Sequence, residues 1–272
     1  MDVELACMIR DGRLKGMKEG HMAGDIAELT ARYRRDGFAV ARGLFHAPLL
    51  SEVTGEVERV VAEAAAAGEH LQVYFDAEAP GSPVRCLFRI EEQSELLRDL
   101  LGSALLLDVV RPLLEDEPVA DGIQYIDKPP HATYRFPYHQ DNAYQFYHPP
   151  RSLAATLALD AQGEDSGPIS FLRGSHALPI LPHEPSGVLG ASRGLVDPPD
   201  TARYPEVAAT VEAGDVLVHH TNVIHRTGPN LTGSHRRNLG FTYHGAGAVQ
   251  DTEANAASVR MVERYNRSHR PR

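Results

Sequence analysis

Gly214-Asp215-Val216-Leu217-Val218-His219-His220-Thr221-Asn222-Val223-Ile224-His225-Arg226-Thr227-Gly228-Pro229-Asn230 joins a turn, an apolar run and three histidines in one short stretch. Gly-Asp marks a tight turn, and the apolar run that follows reads as a strand. Working outward, the chain keeps this character from Glu117 to about residue 244. Short β-type runs fall at 120–127, 136–140, 152–159, 168–172, 207–211, 215–220, 222–226 and 238–244, separated by Gly, Pro, Asn and Asp. About eight short strands with turn signals between them predict a sandwich or jelly roll. The proline-rich segment 177–205 shows no clear strand, and a loop of that length in a compact domain is often a lid or binding loop.

Helices precede the strands. Ile26, Leu29 and Tyr33 predict one helix over 26–35, stopped by Gly37. Phe38 to Ala41 then reads as a short strand. Leu49, Leu50, Val53, Val57, Val60 and Val61 recur at helical spacing and predict a long helix over 47–67. Two more helices fit 93–101 and 103–114. The first 25 residues are polar without a clear period, and the tail 250–272 reads as docked or frayed. The expectation is one domain over 1–272, mainly β with α additions: a helical part at about 26–115 packed on a β core at about 117–245.

Composition narrows the function. With 42% hydrophobic and 24% charged residues the chain has the make-up of a globular protein. A net charge of −10 repels phosphate backbones and anionic lipid, so nucleic acid and membrane surfaces are poor partners. A small-molecule substrate is expected; oligomeric state is not legible. Cys7 and Cys86 are too few for a disulfide framework. There is no signal-like start and no apolar run near the roughly 20 residues of a membrane helix, so the expected location is cytoplasmic.

Pro137-Tyr138-His139-Gln140-Asp141 is the first segment with chemistry in it. Side chains at i and i+2 of a strand share a face, so His139 and Asp141 would offer an imidazole and a carboxylate to one point. A second histidine from a distant strand would complete a two-histidine, one-carboxylate set with open coordination positions, which suits Fe(II) oxygenases. An isolated H-x-D is common by chance. His219 and His220 are adjacent and point to opposite faces, and periodicity does not choose among them and His225, with His235 and His244 further candidates.

The stretch from Gln124 to Tyr243 resembles the phytanoyl-CoA dioxygenase family of Fe(II)/2-oxoglutarate oxygenases. The matching pieces, in order, are Ile126-Asp127-Lys128-Pro129-Pro130, His139-Gln140-Asp141, Ser166-Gly167-Pro168, Arg173-Gly174-Ser175-His176, Gly214-Asp215, His225-x-Thr227-Gly228-Pro229-Asn230 and Arg236-Arg237. The resemblance implies a double-stranded β-helix of jelly-roll type, with Fe(II) as cofactor and 2-oxoglutarate and O₂ as cosubstrates. It implies His139, Asp141 and His225 as metal ligands, and leaves His219 and His220 to packing or to a supporting role behind the ligands. His176 resembles a structural turn of the family.

2-Oxoglutarate carries a second carboxylate, which an arginine fork grips well. Arg236 stands at the family's spacing after His225, with Thr227 on the same face; Lys128, Gln124 and Thr156 are further expected cosubstrate contacts. Arg237 would point the other way. Tyr138, Tyr144, Phe146 and Arg89 are expected near the substrate, and Arg85 is a second cation of that kind. The implied reaction couples decarboxylation of 2-oxoglutarate to oxidation of a C–H bond, by hydroxylation, cyclisation, desaturation or epimerisation. An acyl-CoA hydroxylase, a zinc hydrolase with the same ligands, and a non-catalytic jelly-roll binding module are the alternatives.

Overall fold

The computed structural model of the protein describes residues 19–67, 73–75, 82–188 and 191–269. The chain opens with helix α1 (Glu19–Asp36), strand β1 (Phe38–Ala41) and helix α2 (Ala47–Ala67), then β2 (Val73–Phe75), β3 (Val84–Phe88), α3 (Glu95–Leu101) and α4 (Ala104–Leu114). The jelly-roll strands follow. They are β4 (Pro118–Lys128), β5 (Phe136–His139), a short helix α5 (Asn142–Gln145), β6 (Tyr147–His148), β7 (Ser152–Ala158) and β8 (Ile169–Leu172). Strands β9 (His183–Val188), β10 (Ala191–Leu195), β11 (Glu206–Ala208), β12 (Val216–His220), β13 (His225–Thr227), β14 (Arg236–Gly245) and β15 (Val249–Gln250) lead to helix α6 (Thr252–His269).

Two antiparallel sheets face each other. The larger has the order β1-β12-β7-β14-β4-β3-β2 and the smaller β11-β8-β13-β5. Four central strands of the larger sheet and the four of the smaller form the expected eight-stranded jelly roll; β1 and the β3-β2 pair widen it.

Strand alternation divides the larger sheet into two faces. Ile123, Tyr125, Leu239, Phe241 and Tyr243 point outward into the main core, where α2 contributes Leu49, Val53, Val57 and Val60. Burying each such side chain contributes roughly 1.5–3 kcal/mol relative to exposure. The alternate residues Gln124, Ile126, Asn238, Gly240 and Thr242 point inward and line the cavity between the sheets. Arg237, out of phase with Arg236, bonds Asp160 at 2.8 Å and reaches Glu58 of α2 at 2.7 Å.

Several sequence expectations are corrected here. Segment 177–205 is not strandless: β9 and β10 pair as an antiparallel hairpin within it. Its prolines and glycines hide the alternation that a sequence reading needs. The strand expected at 222–226 is shorter and later, because Asn222 is tied into a turn by bonds to Leu178 O at 3.2 Å and from Asn142 at 3.0 Å. Helix α1 begins at Glu19, inside the stretch read as featureless, and most of the tail is helix α6. Strands β2 and β3 were not expected at all. Residues 1–18 of the expected polar arm, and Cys7 with them, lie outside the described residues. No described helix is long and apolar enough to cross a membrane.

Candidate metal and cosubstrate site

Strands β5 and β13 pair so that His139 sits opposite His225. Each imidazole places Nδ1 against a backbone carbonyl two residues back: His139 on Pro137 O at 2.8 Å, His225 on Val223 O at 3.0 Å. Those bonds assign the proton to Nδ1 and turn the Nε2 lone pairs toward one point, as metal-ligating imidazoles require.

Asp141 arrives there by a route the strand argument did not foresee. Strand β5 ends at His139, and Asp141 has helical backbone at the start of α5. The turn is held by Gln140, whose amide donates to Asn222 O at 2.9 Å and accepts from Leu181 N at 2.8 Å. Asn142 N adds a bond to Thr221 O at 2.9 Å. Asp141 Oδ1 then lies 3.5 Å from His139 Nε2 and 3.6 Å from His225 Nε2. These separations exceed the roughly 2.7–3.2 Å of an ordinary N–H···O bond, while all three donor atoms stay within 4.8 Å of one another. Two neutral imidazoles and one carboxylate around such a gap fit a divalent transition metal.

Electrostatics agree with that donor set. Burial, with the His139 imidazole next in importance, pushes His225 down to about 3 and keeps its lone pair available. Burial works against ionisation of Asp141, but the imidazoles of His225, His139 and His219 outweigh it and hold the carboxyl well below the usual range.

The donor atoms open on a cavity of about 390 Å³ that runs along β14. Register orders its contents. Thr227 and Phe136, paired across β13 and β5, line it at the Arg236 end. Gln124 and Thr156 flank Gly240 near the middle. A side chain at Gly240 would crowd Gln124, whose Cγ and Nε2 lie 3.2 and 3.3 Å from where its Cβ would be. Ala154 pairs with Thr242 further along. Phe88, paired with Gln124 across β3 and β4, and Tyr74 of β2 wall one side; Tyr144 and Gln145, Val188 and Ser192 of the hairpin, and Val262 of α6 complete the lining.

Arg236 is 1% exposed and carries no ion pair with any described carboxylate. Its Nη2 donates to Gly167 O at 3.0 Å, while Nε has no partner. The Thr227 hydroxyl beside it is also buried without a partner. Burial pushes the guanidinium down to about 10, so it keeps its charge at neutral pH. Two orphaned groups in a closed end, one of them cationic, are what an incoming carboxylate would satisfy.

Gly167 explains its motif. Its φ is +67°, and a Cβ there would lie 2.5 Å from Gly228 O and 2.6 Å from Pro229 O. The close approach sets the carbonyl that holds Arg236. Gly167→Ala is therefore expected to cost about 1–3 kcal/mol, read as a lower unfolding midpoint with weaker 2-oxoglutarate binding. An unchanged midpoint would show that the backbone there yields freely.

Not every expected residue reaches the cavity. Lys128 is fully buried and donates to the carbonyls of Gly228 and Tyr134, and it is not among the lining side chains. Burial, with Arg236 and Arg85 adding to it, pushes Lys128 down to about 6. Tyr138, one residue from His139, points away and bonds Glu206. Phe146 caps α5 with φ of 57° and does not line the cavity. Arg89 is exposed and pairs with Glu92 at 2.5 Å. Arg85 is buried with its guanidinium 3.3 Å from the Tyr134 ring centroid. His176 bonds Arg34 O at 3.2 Å, outside the cavity. Of the expected substrate contacts only Tyr144 lines it. Asn238 and Gly240 were overlooked, although spacing by two from Arg236 marks them. Tyr74, Phe88 and Val262 carry no sequence signal, because distant segments bring them in.

A jelly roll that closes on two imidazoles and a carboxylate, with a buried arginine at the end of the same cavity, is the architecture of Fe(II)- and 2-oxoglutarate-dependent oxygenases. The phytanoyl-CoA dioxygenase (PhyH) family model matches residues 33–238, and the chain belongs to that family. It is a dioxygenase that takes iron as cofactor and 2-oxoglutarate and O₂ as cosubstrates.

The ectoine dioxygenase of Stutzerimonas stutzeri is 26% identical over 246 residues, covering 82% of this chain and 78% of that one. The peroxisomal phytanoyl-CoA dioxygenase of Rattus norvegicus is 25% identical over 225 residues, covering 78% and 66%. Among solved structures, the epimerase SnoN in complex with Fe³⁺, alpha ketoglutarate and nogalamycin RO superposes with a TM-score of 0.67 at 23% identity, covering 84% of this chain and 86% of its own. EctD from S. alaskensis with 2-oxoglutarate and 5-hydroxyectoine gives 0.67 at 24%, covering 80% and 76%. At these identities the two structures speak for the fold.

Proposed function

We propose that the chain works as one oxygenase domain in which His139, Asp141 and His225 hold the iron and Arg236 with Thr227 takes the distal carboxylate of 2-oxoglutarate. Its substrate is a free, uncharged small molecule, a natural-product intermediate, oxidised at a C–H bond. The observation that carries this reading is the buried arginine without a carboxylate partner, facing the same cavity as the three donor atoms.

Bound iron supplies the oxidising chemistry: for hydroxylation, R–H, 2-oxoglutarate and O₂ become R–OH, succinate and CO₂. The protein's own part is to hold and exclude. Arg236 and Thr227 fix one end of the cosubstrate, and Gln124 and Thr156 offer neutral hydrogen-bonding groups along its length. Phe136, Ile126 and Ile169 keep water from its flanks.

The substrate end supports the finer claim. Tyr74 and Phe88 meet edge to face at 5.8 Å, Tyr144 lines the same cavity, and Gln145, Ser192 and Thr242 supply uncharged polar groups. The buried Arg193 guanidinium lies 5.4 Å from the Tyr144 ring centroid and donates to the Ala143 carbonyl, but no lining side chain at that end carries a formal charge. That suits a ring-containing neutral molecule and gives nothing to the phosphates of an acyl-CoA. SnoN, an epimerase from nogalamycin biosynthesis, supports a natural-product setting.

The test is succinate formation from 2-oxoglutarate by the iron-loaded protein, with and without O₂. Succinate that appears only with O₂ is expected; O₂-independent hydrolysis with Zn(II) would favour the hydrolase, and no turnover a binding module. Because Asp141 occupies the carboxylate position that related halogenases leave to a small residue, products formed in chloride buffer are expected to contain no chlorine. A chlorinated product would sink the assignment of Asp141.

A further inference from the structure

His219 lies on β12, on the same inward face as the cavity, and is almost completely buried. Its Nε2 is 2.8 Å from Asp141 Oδ2, the carboxylate oxygen turned away from the other two imidazoles. Its ring packs 4.8 Å from that of His225 and 5.3 Å from that of Phe171. Strand β12 is flanked by β1 and β7, which pair with His219 through Phe38 and Ala154. The backbone behind the imidazole is therefore fixed on both edges. Nδ1 is buried and has no hydrogen-bond partner, so the ring's one anchored contact is the one to Asp141.

We propose that His219 is a positioning residue that makes Asp141 a one-oxygen ligand. Its Nε2–H occupies Oδ2, and only Oδ1 remains to face the gap between His139 and His225. A carboxylate released from this bond can swing both oxygens toward a metal, and that would take a position the cosubstrates need. The bond also localises charge on Asp141 and holds its rotamer before any metal arrives. The inference rests on the reading of Asp141 as a ligand. Of the two roles the sequence left to His219, packing or support behind the ligands, it takes the second, while the adjacent His220 turns to the other side of the sheet.

The test compares His219→Phe, which keeps a ring and loses the donor, with His219→Gln, whose amide nitrogen can reach where Nε2 stood. Anaerobic Fe(II) affinity is measured by competition with a ferrous chelator, and the Co(II)-loaded protein is examined by its visible spectrum. Removing an outer partner of a metal ligand typically weakens binding about 10–100-fold. His219→Phe is expected to show that loss and an altered Co(II) spectrum, with a somewhat lower unfolding midpoint of the metal-free protein because a buried carboxylate oxygen loses its donor. His219→Gln is expected to recover most of the affinity. Wild-type affinity in His219→Phe, or equal losses in both variants, would overturn the proposal and leave a packing role. Should the Phe variant fail to fold, His219→Met carries the same comparison. Failure of the wild-type protein itself to bind Fe(II) would instead bring down the ligand assignment on which this inference stands.

Discussion

Replacing Arg236 by leucine is expected to weaken 2-oxoglutarate binding by about 2–5 kcal/mol, roughly a factor of 30 to several thousand. The size follows from burial. The guanidinium is 1% exposed and no described carboxylate neutralises it, so a bound carboxylate meets an undiluted charge in a low-dielectric end. The same burial predicts the opposite sign for folding. A cation without a counter-charge costs free energy to bury, and a leucine of similar reach does not. The variant should therefore unfold no earlier than the wild type in the absence of ligand. Arg236→Lys should retain only part of the affinity, because an ammonium lacks the planar fork and would also leave Gly167 O differently served. Calorimetric titration with 2-oxoglutarate and melting curves check both signs. Wild-type affinity in the leucine variant would remove Arg236 from the site.

The second large effect is at the metal. His225→Ala is expected to lower Fe(II) affinity by more than the roughly 10–100-fold that loss of an outer partner causes, and to abolish succinate formation. His225 is buried, and its Nδ1 is anchored to Val223 O at 3.0 Å. No other described histidine outside the triad is grouped with these donor atoms. His219, whose ring lies 4.8 Å from that of His225, is a candidate substitute, but it is committed to Asp141 Oδ2. Retention of tight Fe(II) binding by His225→Ala would mean that the donor set has been drawn wrongly.

Much of this was legible in the chain, and the pattern of what was not is physical. Most of the core strands announced themselves as apolar runs bounded by turn residues, while β13 (His225–Thr227), a polar strand, starts three residues later than expected. Helix α2 was read to its last residue because its apolar positions keep one face for five turns. The three donor residues that the structure groups were picked out by motif. Periodicity placed His139 and Asp141 together for a reason that does not hold, since the strand ends between them and a turn delivers the carboxylate. The cavity lining was only half visible. Residues spaced by two along β14 share a face, so Asn238, Gly240 and Thr242 follow from Arg236 by counting. Tyr138, Phe146 and Arg89 failed because closeness in sequence to the metal motif says nothing about direction: Tyr138 alternates away from His139, Phe146 turns at a helix cap, and Arg89 lies exposed against Glu92. The hairpin β9–β10 and the helix α6 close the mouth from far along the chain, and no local pattern marks that.

The most direct measurement is to add Fe(II) to the metal-free protein without oxygen, then 2-oxoglutarate, and to look for the weak visible metal-to-ligand charge-transfer band of the chelate. The band is expected in the wild type, absent in His225→Ala, and in Arg236→Leu present only at much higher 2-oxoglutarate. A correctly folded wild-type protein that binds Fe(II) and shows no band at any 2-oxoglutarate concentration would contradict the assignment of this cavity as the cosubstrate site.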